Sequence, residues 1–517
     1  MNGAHALLAT LQANGVTTCF ANPGTSEMHF VAGLDDAPGI RAILCLFEGV
    51  ATGAADGYAR VGGRPAATLL HLGPGLGNGF ANLHNARRAR VPLLNIVGDH
   101  ATYHARFDAP LQSDIAAIAS ALEGWQRRTE NPHDVARDVA DAISAAYGPP
   151  GRVATLVLPA DVSWGETDVS APWPVATRYP EVTVSDDAMA IAVANLRTRR
   201  SALFVGGSAT STDQLALAQR VASAVGARVI METFPAIHDR GAGVANPERL
   251  NYLSEFAIDQ LKDLEALVIV GGVEPVGFFA YPNVASRLLP EGCEVVHLAP
   301  PGTDTREALM ALADLVQAPA LRLEALEPLE APSGELTSRS FAAAINATIT
   351  EGLIVSDESN TGGAHMFQPS SAVKPHRRMG LTGGSIGFGL PAAVGAAVAS
   401  GGRVLALESD GSLMYTPQAL WTMAREGLDV TVVALSNRSY AILNLERWRA
   451  AAVEADSTSQ RLLDIDDPTL ALADLATSMG VPGQRVTTAD ELVSAIERSY
   501  ATPGPCLIEA MLPKGLS

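Results

Sequence analysis

The chain has 517 residues and a formal net charge of −19, and 47% of its residues are hydrophobic. At roughly 100–200 residues per domain, this length predicts about three domains, each with enough apolar material for a core. The acidic charge repels nucleic acid and anionic membrane surfaces, so we expect neither as a partner.

The sequence shows no sign of membrane insertion or export. No uncharged apolar run reaches the ~18–20 residues that span a bilayer, and the N-terminus lacks the charged-then-apolar pattern of a secretory signal. The four cysteines, Cys19, Cys45, Cys293 and Cys506, form no CxxC pair. Their scatter argues against a structural zinc site and fits a reducing compartment, so we expect a cytoplasmic protein.

Apolar segments of strand length alternate with amphipathic segments of helix length along the whole chain. This alternation predicts an α/β fold, with parallel sheets covered by helices. The predicted strands are Ala67–His71, Leu93–Val97, Thr155–Leu158, Ala202–Val205, Leu267–Val270, Glu294–Leu298, Leu353–Val355, Val404–Leu407 and Val430–Leu435.

Two proline-rich segments divide the chain. Trp164–Val182 and Leu321–Leu336 combine prolines and glycines with little periodicity, which is typical of linkers between domains. The sequence therefore predicts three doubly wound parallel-sheet domains at about 1–165, 183–322 and 336–517.

A glutamate follows an early apolar segment of the N-terminal block. Ile43–Phe47 is strand-like, and Glu48 separates it from a helix of small residues. Burial at such a junction favours the protonated form of a carboxyl group. A negative charge stabilised by the helix dipole is the simpler explanation of a lone glutamate.

Two neighbouring strands of the third block end in polar loops. Val404–Leu407 and Val430–Leu435 are joined by a predicted crossover helix at about Pro417–Glu426, so they run parallel. Both loops therefore lie at the carboxyl edge of the sheet, where open α/β sheets bind ligands.

These two loops carry the residues of a magnesium and phosphate site. Asp410 offers a carboxylate, Asn437 an amide oxygen and Ser439 a backbone carbonyl, a set of hard oxygen ligands that suits Mg²⁺. Gly411 and Ser412 offer backbone N–H groups to phosphate at the start of a helix. A simple turn at Asp410 and a loop cap at Asn437 are the alternative.

The pattern resembles the diphosphate-binding motif of thiamine diphosphate enzymes, in which Gly-Asp-Gly precedes Asn-Asn by nearly thirty residues. Asp410 and Asn437 stand 27 residues apart. Ser409 and Ser436 replace the first residue of each half, and neither replacement removes a ligand. The resemblance implies Mg²⁺ ligands at Asp410, Asn437 and Ser439 and coenzyme contacts at Gly411, Ser412 and Asn437.

Two more segments of the third block match this family, in the same order. Asp357–Thr361 resembles the loop that hydrogen-bonds the diphosphate, and Leu381–Ala393 resembles the segment that bends the coenzyme into a V. The implied coenzyme contacts are Asn360, Thr361, the carbonyl of Gly384, the side chain of Ile386, and Tyr440, Ala441 and Ile442.

The N-terminal block resembles the pyrimidine domain of acetolactate synthases and benzoylformate decarboxylases. Phe20–Glu27, the Glu48 helix and Leu70–Asn78 carry this resemblance, which with the central block extends over essentially the whole chain. It implies that Glu48 hydrogen-bonds the aminopyrimidine and activates the coenzyme. It further implies coenzyme contacts at Pro23 and Gly24, and Thr25 and His71 in the substrate pocket, with His71 transferring protons.

The resemblance implies a thiamine-diphosphate- and Mg²⁺-dependent enzyme that acts on a 2-oxo acid. Decarboxylation with carboligation, as in acetolactate synthases, is the leading interpretation, and simple decarboxylation is the alternative. Two departures leave this choice open: Ile442–Glu446 replaces the usual Met-Val-x-Gln-Trp, and Phe278–Tyr281 lacks a second pocket histidine. The family places Glu48 and the metal loop in different subunits, so we expect a homodimer or homotetramer with sites at the interface.

Three further points stay open. A scaffold or regulatory subunit could keep the fold without catalysis, although Glu48 and Asp410 are both retained. A nicotinamide-dependent oxidoreductase could use the glycine-rich run Gly73–Gly77, with Asp99 as its acidic residue. FAD is not expected, because we interpret the glycine doublets at 206–207 and 271–272 as tight turns.

Overall fold

The computed structural model describes residues 1–323, 329–367, 372–451 and 457–515. Three sheets of six, five and seven strands follow one another along the chain. All nine predicted strands are present within them. The predicted α/β fold built on parallel sheets is therefore confirmed. Part of the predicted linker Leu321–Leu336 lies outside the described residues.

The first sheet is wholly parallel and has the strand order β2-β1-β3-β4-β6-β5. Its strands are β1 (Thr18–Asn22), β2 (Arg41–Leu44), β3 (Ala67–His71), β4 (Leu93–Asp99), β5 (Trp125–Arg128) and β6 (Val153–Pro159). Its helices are α1 (Gly3–Ala13), α2 (Met28–Gly33), α3 (Glu48–Gly62), α4 (Leu72–Ala89), α5 (Ile115–Ser120), α6 (Val135–Tyr147) and α7 (Ala160–Trp164). The apolar segment predicted as a strand to Phe47 leaves the sheet after Leu44, because Phe47 already forms the N-cap of α3.

The second sheet is also parallel, in the order β10-β8-β7-β11-β12. The strands of this part of the chain are β7 (Ser201–Val205), β8 (Arg228–Met231), β9 (Ile237–Arg240), β10 (Glu248–Arg249), β11 (Ala266–Val270) and β12 (Glu294–Ala299). Its helices are α8 (Asp186–Thr198), α9 (Thr212–Val225), α10 (Ser254–Leu261) and α11 (Thr305–Leu315).

The glycine doublets of the central sheet are tight turns at its carboxyl edge. Gly207 and Gly271 have φ values of +52° and +75°. A Cβ on Gly207 would lie 2.6 Å from the carbonyl oxygen of Gly271, and one on Gly271 would lie 2.2 Å from that of Gly206. The two strand ends thus approach each other closely where the strand order reverses.

The third sheet has the order β17-β18-β16-β15-β13-β14-β9. Its own strands are β13 (Leu353–Glu358), β14 (His376–Met379), β15 (Val404–Ser409), β16 (Val430–Ser436), β17 (Gly483–Val486) and β18 (Cys506–Met511). Its helices are α12 (Ser338–Thr348), α13 (Gly389–Ser400), α14 (Asp410–Leu413), α15 (Gln418–Glu426), α16 (Ala441–Ala451), α17 (Ser457–Gln460), α18 (Leu472–Ser478) and α19 (Ala489–Ala501). The edge strand β9 comes from the central block and pairs antiparallel with β14.

Helices α3 and α13 pack with their backbones in contact and join the first and third sheets. A Cβ on Gly57 would lie 2.2 Å from the carbonyl oxygen of Ala392, and one on Gly395 would lie 1.8 Å from that of Ala54. The small residues of α3 are therefore required by this close approach. The packing fixes the two outer parts of the chain against each other.

A buried ion pair extends this junction to the central block. Arg60 on α3 pairs with Asp56 through Nε at 2.7 Å. Its Nη1 also donates to the carbonyl oxygens of Ala236 and Gly380, and its guanidinium lies 4.4 Å from the ring centroid of Phe388. One side chain thus contacts all three parts of the molecule.

Candidate functional site

Glu48 is the first residue of α3 and lies between the N-termini of α3 and α4. It is 7% exposed, and its Oε2 accepts a hydrogen bond from Asn78 Nδ2 at 3.0 Å. No donor in the described part of the chain reaches Oε1. A Cβ on Gly75 would lie 3.1 Å from Oε1, so this glycine leaves space beside the carboxyl group. Asn78 is a contact that the sequence did not reveal.

His71 ends β3 and pairs with a buried carboxylate. Its Nδ1 lies 2.8 Å from Glu27 Oε2, and Glu27 is only 3% exposed. Glu27 also accepts from Gly24 N at 2.7 Å and from Ser26 Oγ at 2.6 Å. Because Nδ1 donates to this carboxylate, Nε2 is the ring nitrogen that the pairing with Glu27 leaves available. The hydrogen bond to Glu27 thus orients the imidazole of His71.

The remaining candidates of this segment lie on the loop after β1, which approaches His71 at Gly24. A Cβ on Gly24 would lie 2.2 Å from His71 Nδ1, so only glycine allows the imidazole to approach. Thr25 is exposed and begins a single 3₁₀ turn that ends at Glu27, and Pro23 is half-buried. Glu27 was missed in the sequence, although the run Thr-Ser-Glu directly after Pro-Gly is visible there.

The two predicted metal-binding loops meet at the carboxyl edge of the third sheet. Strands β15 and β16 pair in parallel up to Ser409 and Leu435. Asp410 is 2% exposed, and its oxygens accept from Gly411 N at 2.8 Å and Arg438 N at 2.6 Å. Burial raises the pKa of Asp410 to about 6, against the effect of these donors.

The oxygen atoms of this edge fit a magnesium ion. Asn437 Oδ1 accepts from Ser439 N at 3.1 Å, which turns the backbone of Ser439 next to the amide. Carboxylate, amide and carbonyl oxygens are hard ligands that leave positions for phosphate oxygens. Among the described residues, no group of three or more His, Cys, Asp or Glu side chains forms a metal cluster.

The predicted diphosphate contacts converge on the same edge. Asn360 has a φ of +47°, and its Nδ2 donates to Ser412 Oγ at 2.9 Å and to Ser409 Oγ at 3.3 Å. Thr361 follows in the 3₁₀ turn Asn360–Phe367. A Cβ on Gly411 would lie 2.5 Å from the ring of Tyr440, so glycine there brings Tyr440 against α14.

The segment before α13 is held by asparagines of α4. Asn85 Nδ2 donates to the carbonyl of Ser385 at 2.8 Å, and Ser385 N donates back to Asn85 Oδ1 at 3.1 Å. Asn82 Nδ2 donates to the carbonyl of Gly387 at 3.1 Å. Gly384 has a φ of +76° with open space around its Cα, and Ile386 is half-buried. The N-terminal part therefore shapes this loop.

Helix α16 starts from the predicted metal-binding loop and contacts the central block. Ala441 is buried, and its neighbours Tyr440 and Ile442 are half-buried. Further along the helix, Glu446 accepts from the hydroxyl of Tyr281 at 2.8 Å. The segment Phe278–Tyr281, which lacks a histidine, therefore contacts α16 through the hydroxyl of Tyr281.

The glycine run after β3 is not a nucleotide-binding loop. Helix α4 begins at Leu72, directly after the strand, so Gly73, Gly75 and Gly77 lie inside the helix. Asp99 pairs with Arg128 Nη2 at 2.9 Å. The loop and the free acidic residue that a dinucleotide requires are therefore both lacking here.

The candidate residues form two groups within one chain. The hydrogen bonds of the Glu48, Glu27 and His71 side chains all join residues of the first 100 positions. Those of the Asp410 side chain all join residues of the third sheet and its loops. No hydrogen bond among the described residues joins Glu48 to Asp410 or Asn437.

Comparison with known proteins identifies the class to which this fold and site belong. Residues 1–120 match the thiamine pyrophosphate enzyme N-terminal TPP binding domain, and residues 361–510 match the corresponding C-terminal TPP binding domain. The chain belongs to the thiamine-pyrophosphate-dependent (thiamine-diphosphate-dependent) enzymes, which confirms the family that the motifs indicated.

Particular relatives span almost the whole chain. The Mycobacterium tuberculosis (strain H37Rv) protein IlvX, named as an acetolactate synthase large subunit, is 51% identical over 518 residues and 99% of both chains. Benzoylformate decarboxylase of Pseudomonas aeruginosa is 30% identical over 535 residues and 96% of both chains. The 4-hydroxybenzoylformate decarboxylase of Rhodococcus jostii RHA1 has a TM-score of 0.83 over 100% of both chains. At 24% identity, this last likeness shows the fold alone.

No helix among the described residues is both long enough and apolar enough to cross a membrane.

Proposed function

We propose that this enzyme uses thiamine diphosphate and Mg²⁺ to break and make the carbon–carbon bond beside the carbonyl of a 2-oxo acid. The proposal rests on the meeting of the Asp410 and Asn437 loops at the carboxyl edge of the third sheet. The same chain also buries Glu48, whose carboxyl group lies beside the space left by Gly75. The 51% identical relative named as an acetolactate synthase large subunit favours decarboxylation followed by carboligation.

The metal and the diphosphate fit the third sheet. Asp410, Asn437 and the carbonyl of Ser439 would hold Mg²⁺, and Asn360, Thr361 and the N–H groups of Gly411 and Ser412 would hold the phosphates. When bound, thiamine diphosphate supplies a nucleophilic carbon and an electron sink for decarboxylation.

The first sheet supplies the proton-transfer groups. Glu48 would offer Oε1, which no donor among the described residues reaches, to the aminopyrimidine ring, and Pro23 and Gly24 would line the same part of the site. His71, oriented by Glu27 at 2.8 Å, moves a proton at Nε2 on the substrate side, with Thr25 next to it. General acid–base groups of this kind contribute typically ~10²–10⁴-fold to the rate.

The active enzyme is a homodimer or homotetramer in which Glu48 of one subunit faces Asp410 of another. Apolar side chains next to both groups are exposed in the single chain, with Leu46 at 48%, Met414 at 39% and Tyr415 at 53%. Exposed apolar residues of this kind mark interaction surfaces when they cluster. Association would cover them and complete the site.

We place the enzyme in the cytoplasm. All four cysteines are unpaired, and Cys19, Cys45 and Cys293 are buried. Unpaired thiols are typical of proteins that work in a reducing compartment.

Simple decarboxylation is the second candidate reaction, because the Pseudomonas aeruginosa benzoylformate decarboxylase aligns along 96% of the chain. The test is incubation of the enzyme, thiamine diphosphate and Mg²⁺ with a panel of 2-oxo acids, with and without acceptor aldehydes or 2-oxo acids, and identification of products by mass. We expect carboligated products. Aldehyde alone would favour the second candidate, and no conversion would contradict the proposal.

A non-catalytic scaffold makes a different prediction for coenzyme binding. Calorimetric titration with thiamine diphosphate should show binding that depends on Mg²⁺. The absence of binding would support the scaffold.

A further inference from the structure

A buried glutamate of the third sheet accepts three successive backbone hydrogen bonds. Glu358 ends β13 and is 1% exposed. Its Oε1 accepts from Gly387 N at 2.8 Å, and its Oε2 accepts from Phe388 N at 2.9 Å and Gly389 N at 2.6 Å. These N–H groups lie at the start of α13 and have no partner within the helix. The Glu358 carboxylate therefore caps α13 from a neighbouring strand.

This cap connects the two segments of the third part that we assign to the coenzyme. Gly384 and Ile386 immediately precede the capped residues. In the other direction, Glu358 is two residues before Asn360, whose amide donates to Ser412 Oγ at 2.9 Å. A shift of the Glu358 carboxylate would thus move the ring-contacting loop relative to the diphosphate loop.

A second buried glutamate stands beside Glu358 without any such bonds. Glu408 is its cross-strand neighbour and is 0% exposed, and neither of its oxygens has a hydrogen-bond donor. A Cβ on Gly389 would lie 1.9 Å from Glu408 Oε1, so both carboxyl groups reach the start of α13. Burial raises the pKa of Glu358 to about 7, and burial together with the charge of Glu358 raises that of Glu408 well above the ordinary value. The three donors favour the charge on Glu358.

We infer that Glu358 is a positioning residue for the coenzyme: its carboxylate fixes the backbone of Gly387–Gly389 and thereby sets where Gly384 and Ile386 stand. The inference rests on the proposed function, which assigns Gly384 and Ile386 to the coenzyme. The carbonyl of Gly387 is held independently by Asn82 and by Thr416 Oγ1 at 3.0 Å, and Ser385 is held by Asn85. The N–H groups of residues 387–389 are therefore the part of the loop that depends on Glu358.

The test compares Glu358→Gln with the matched control Glu408→Gln. Both changes replace a buried carboxylate with an amide of the same size on adjacent strands. In Glu358→Gln, one acceptor becomes a donor that faces backbone N–H groups. We expect faster hydrogen exchange of the amides of residues 387–389 in the coenzyme-free protein, and at least about tenfold weaker thiamine diphosphate binding by calorimetry. The KM for the 2-oxo acid should stay unchanged while kcat falls.

Glu408→Gln should match the wild type in exchange and coenzyme affinity, because Glu408 accepts no hydrogen bond from residues 387–389 and the amide of Gln can still donate to the neighbouring Glu358 carboxylate. If Glu358→Gln binds thiamine diphosphate and exchanges like the wild type, the inference is overturned. If the wild type itself does not bind thiamine diphosphate, the proposed function fails instead.

Glu358→Asp is the test variant to use if Glu358→Gln does not fold. The shorter side chain keeps the charge but withdraws it from the three donors, and we expect the same weakening of coenzyme binding. Wild-type affinity in folded Glu358→Asp overturns the inference. So does failure of both variants to fold, since the carboxylate would then stabilise the whole domain rather than position one loop.

Discussion

The carboxylate of Glu27 lies 2.8 Å from Nδ1 of His71 and joins the turn after β1 to the end of β3. Gly24 N and Ser26 Oγ hold the same carboxylate. An imidazole held in this way has one tautomer and one orientation, and its Nε2 points away from the carboxylate. Glu27 thus fixes the tautomer and the orientation of the His71 imidazole.

Replacement of Glu27 with Gln should lower kcat by roughly 10–100-fold, which is a part of the ~10²–10⁴-fold that general acid–base catalysis contributes. The amide keeps the size of the side chain, but its NH₂ group can face Nδ1 and favour the wrong tautomer. Steady-state kinetics on the best 2-oxo acid of the panel measures the effect.

A double-variant cycle separates this role from a structural one. In the His71→Ala background, Glu27→Gln should cost little more activity, because residues that act together are not additive. Full additivity of the two losses would show that Glu27 acts elsewhere.

Substitutions at Glu48 and at Asp410 should impair the enzyme in different ways. Glu48→Gln should bind thiamine diphosphate and Mg²⁺ nearly as the wild type does but lose at least about 100-fold in turnover, because only the proton-transferring group is changed. Asp410→Ala removes a metal ligand and should abolish Mg²⁺-dependent binding in a calorimetric titration. Full turnover by Glu48→Gln, or unchanged metal dependence in Asp410→Ala, would contradict the assigned roles.

The contact between α3 and α13 should not tolerate a methyl group at Gly57. Its Cβ would lie 2.2 Å from the carbonyl oxygen of Ala392, and overpacking of this kind costs typically ~1–3 kcal/mol. We expect Gly57→Ala to lower the midpoint of denaturant unfolding.

The matched control is Gly62→Ala in the same helix. Its nearest atom would be 3.6 Å away, at Ala399 Cβ, which is an ordinary contact. Alanine is also the better helix former by about 1 kcal/mol, so Gly62→Ala should be neutral or stabilising. Equal destabilisation by both variants would argue against the close approach at Gly57.

Glu232 should make stability depend on pH. Burial raises its pKa from 4.5 to about 7, although Gly207 N donates to it. The folded state therefore binds the proton more tightly than the unfolded state, and stability is lost as pH rises through this range. Glu232→Gln does not titrate at this position. Its free energy of unfolding, measured relative to that of the wild type, should therefore rise by about 2–3 kcal/mol between pH 4.5 and pH 8. The same difference in free energy of unfolding between the two proteins at both pH values would contradict this.

The sequence predicted the parts of the site that depend on single strand ends. Val404–Leu407 and Val430–Leu435 are apolar runs closed by polar residues, so their parallel pairing placed Asp410 and Asn437 at one edge. The structure confirms that pairing. The end of β2 at Leu44 was misplaced, because the apolar residues up to Phe47 look like a strand although they lead into α3.

Contacts between distant segments were not predictable from the pattern. Glu27 meets His71 across 44 residues, and Glu358 reaches Gly389 across 31 residues. Strand β9 leaves the central sheet for the third one, a pairing that depends on how the two sheets are placed. Hydrophobic periodicity describes which face of an element is buried, and it carries no information about which polar side chain caps another element.

Co-expression of Glu48→Gln and Asp410→Ala chains with two different tags, followed by purification of the doubly tagged hybrid, tests the central claim most directly. Each variant alone should be inactive. A site shared between subunits leaves the hybrid dimer with one intact site out of two, so we expect about half the wild-type activity per hybrid dimer. A hybrid as inactive as its parents would contradict a shared site built from Glu48 and Asp410.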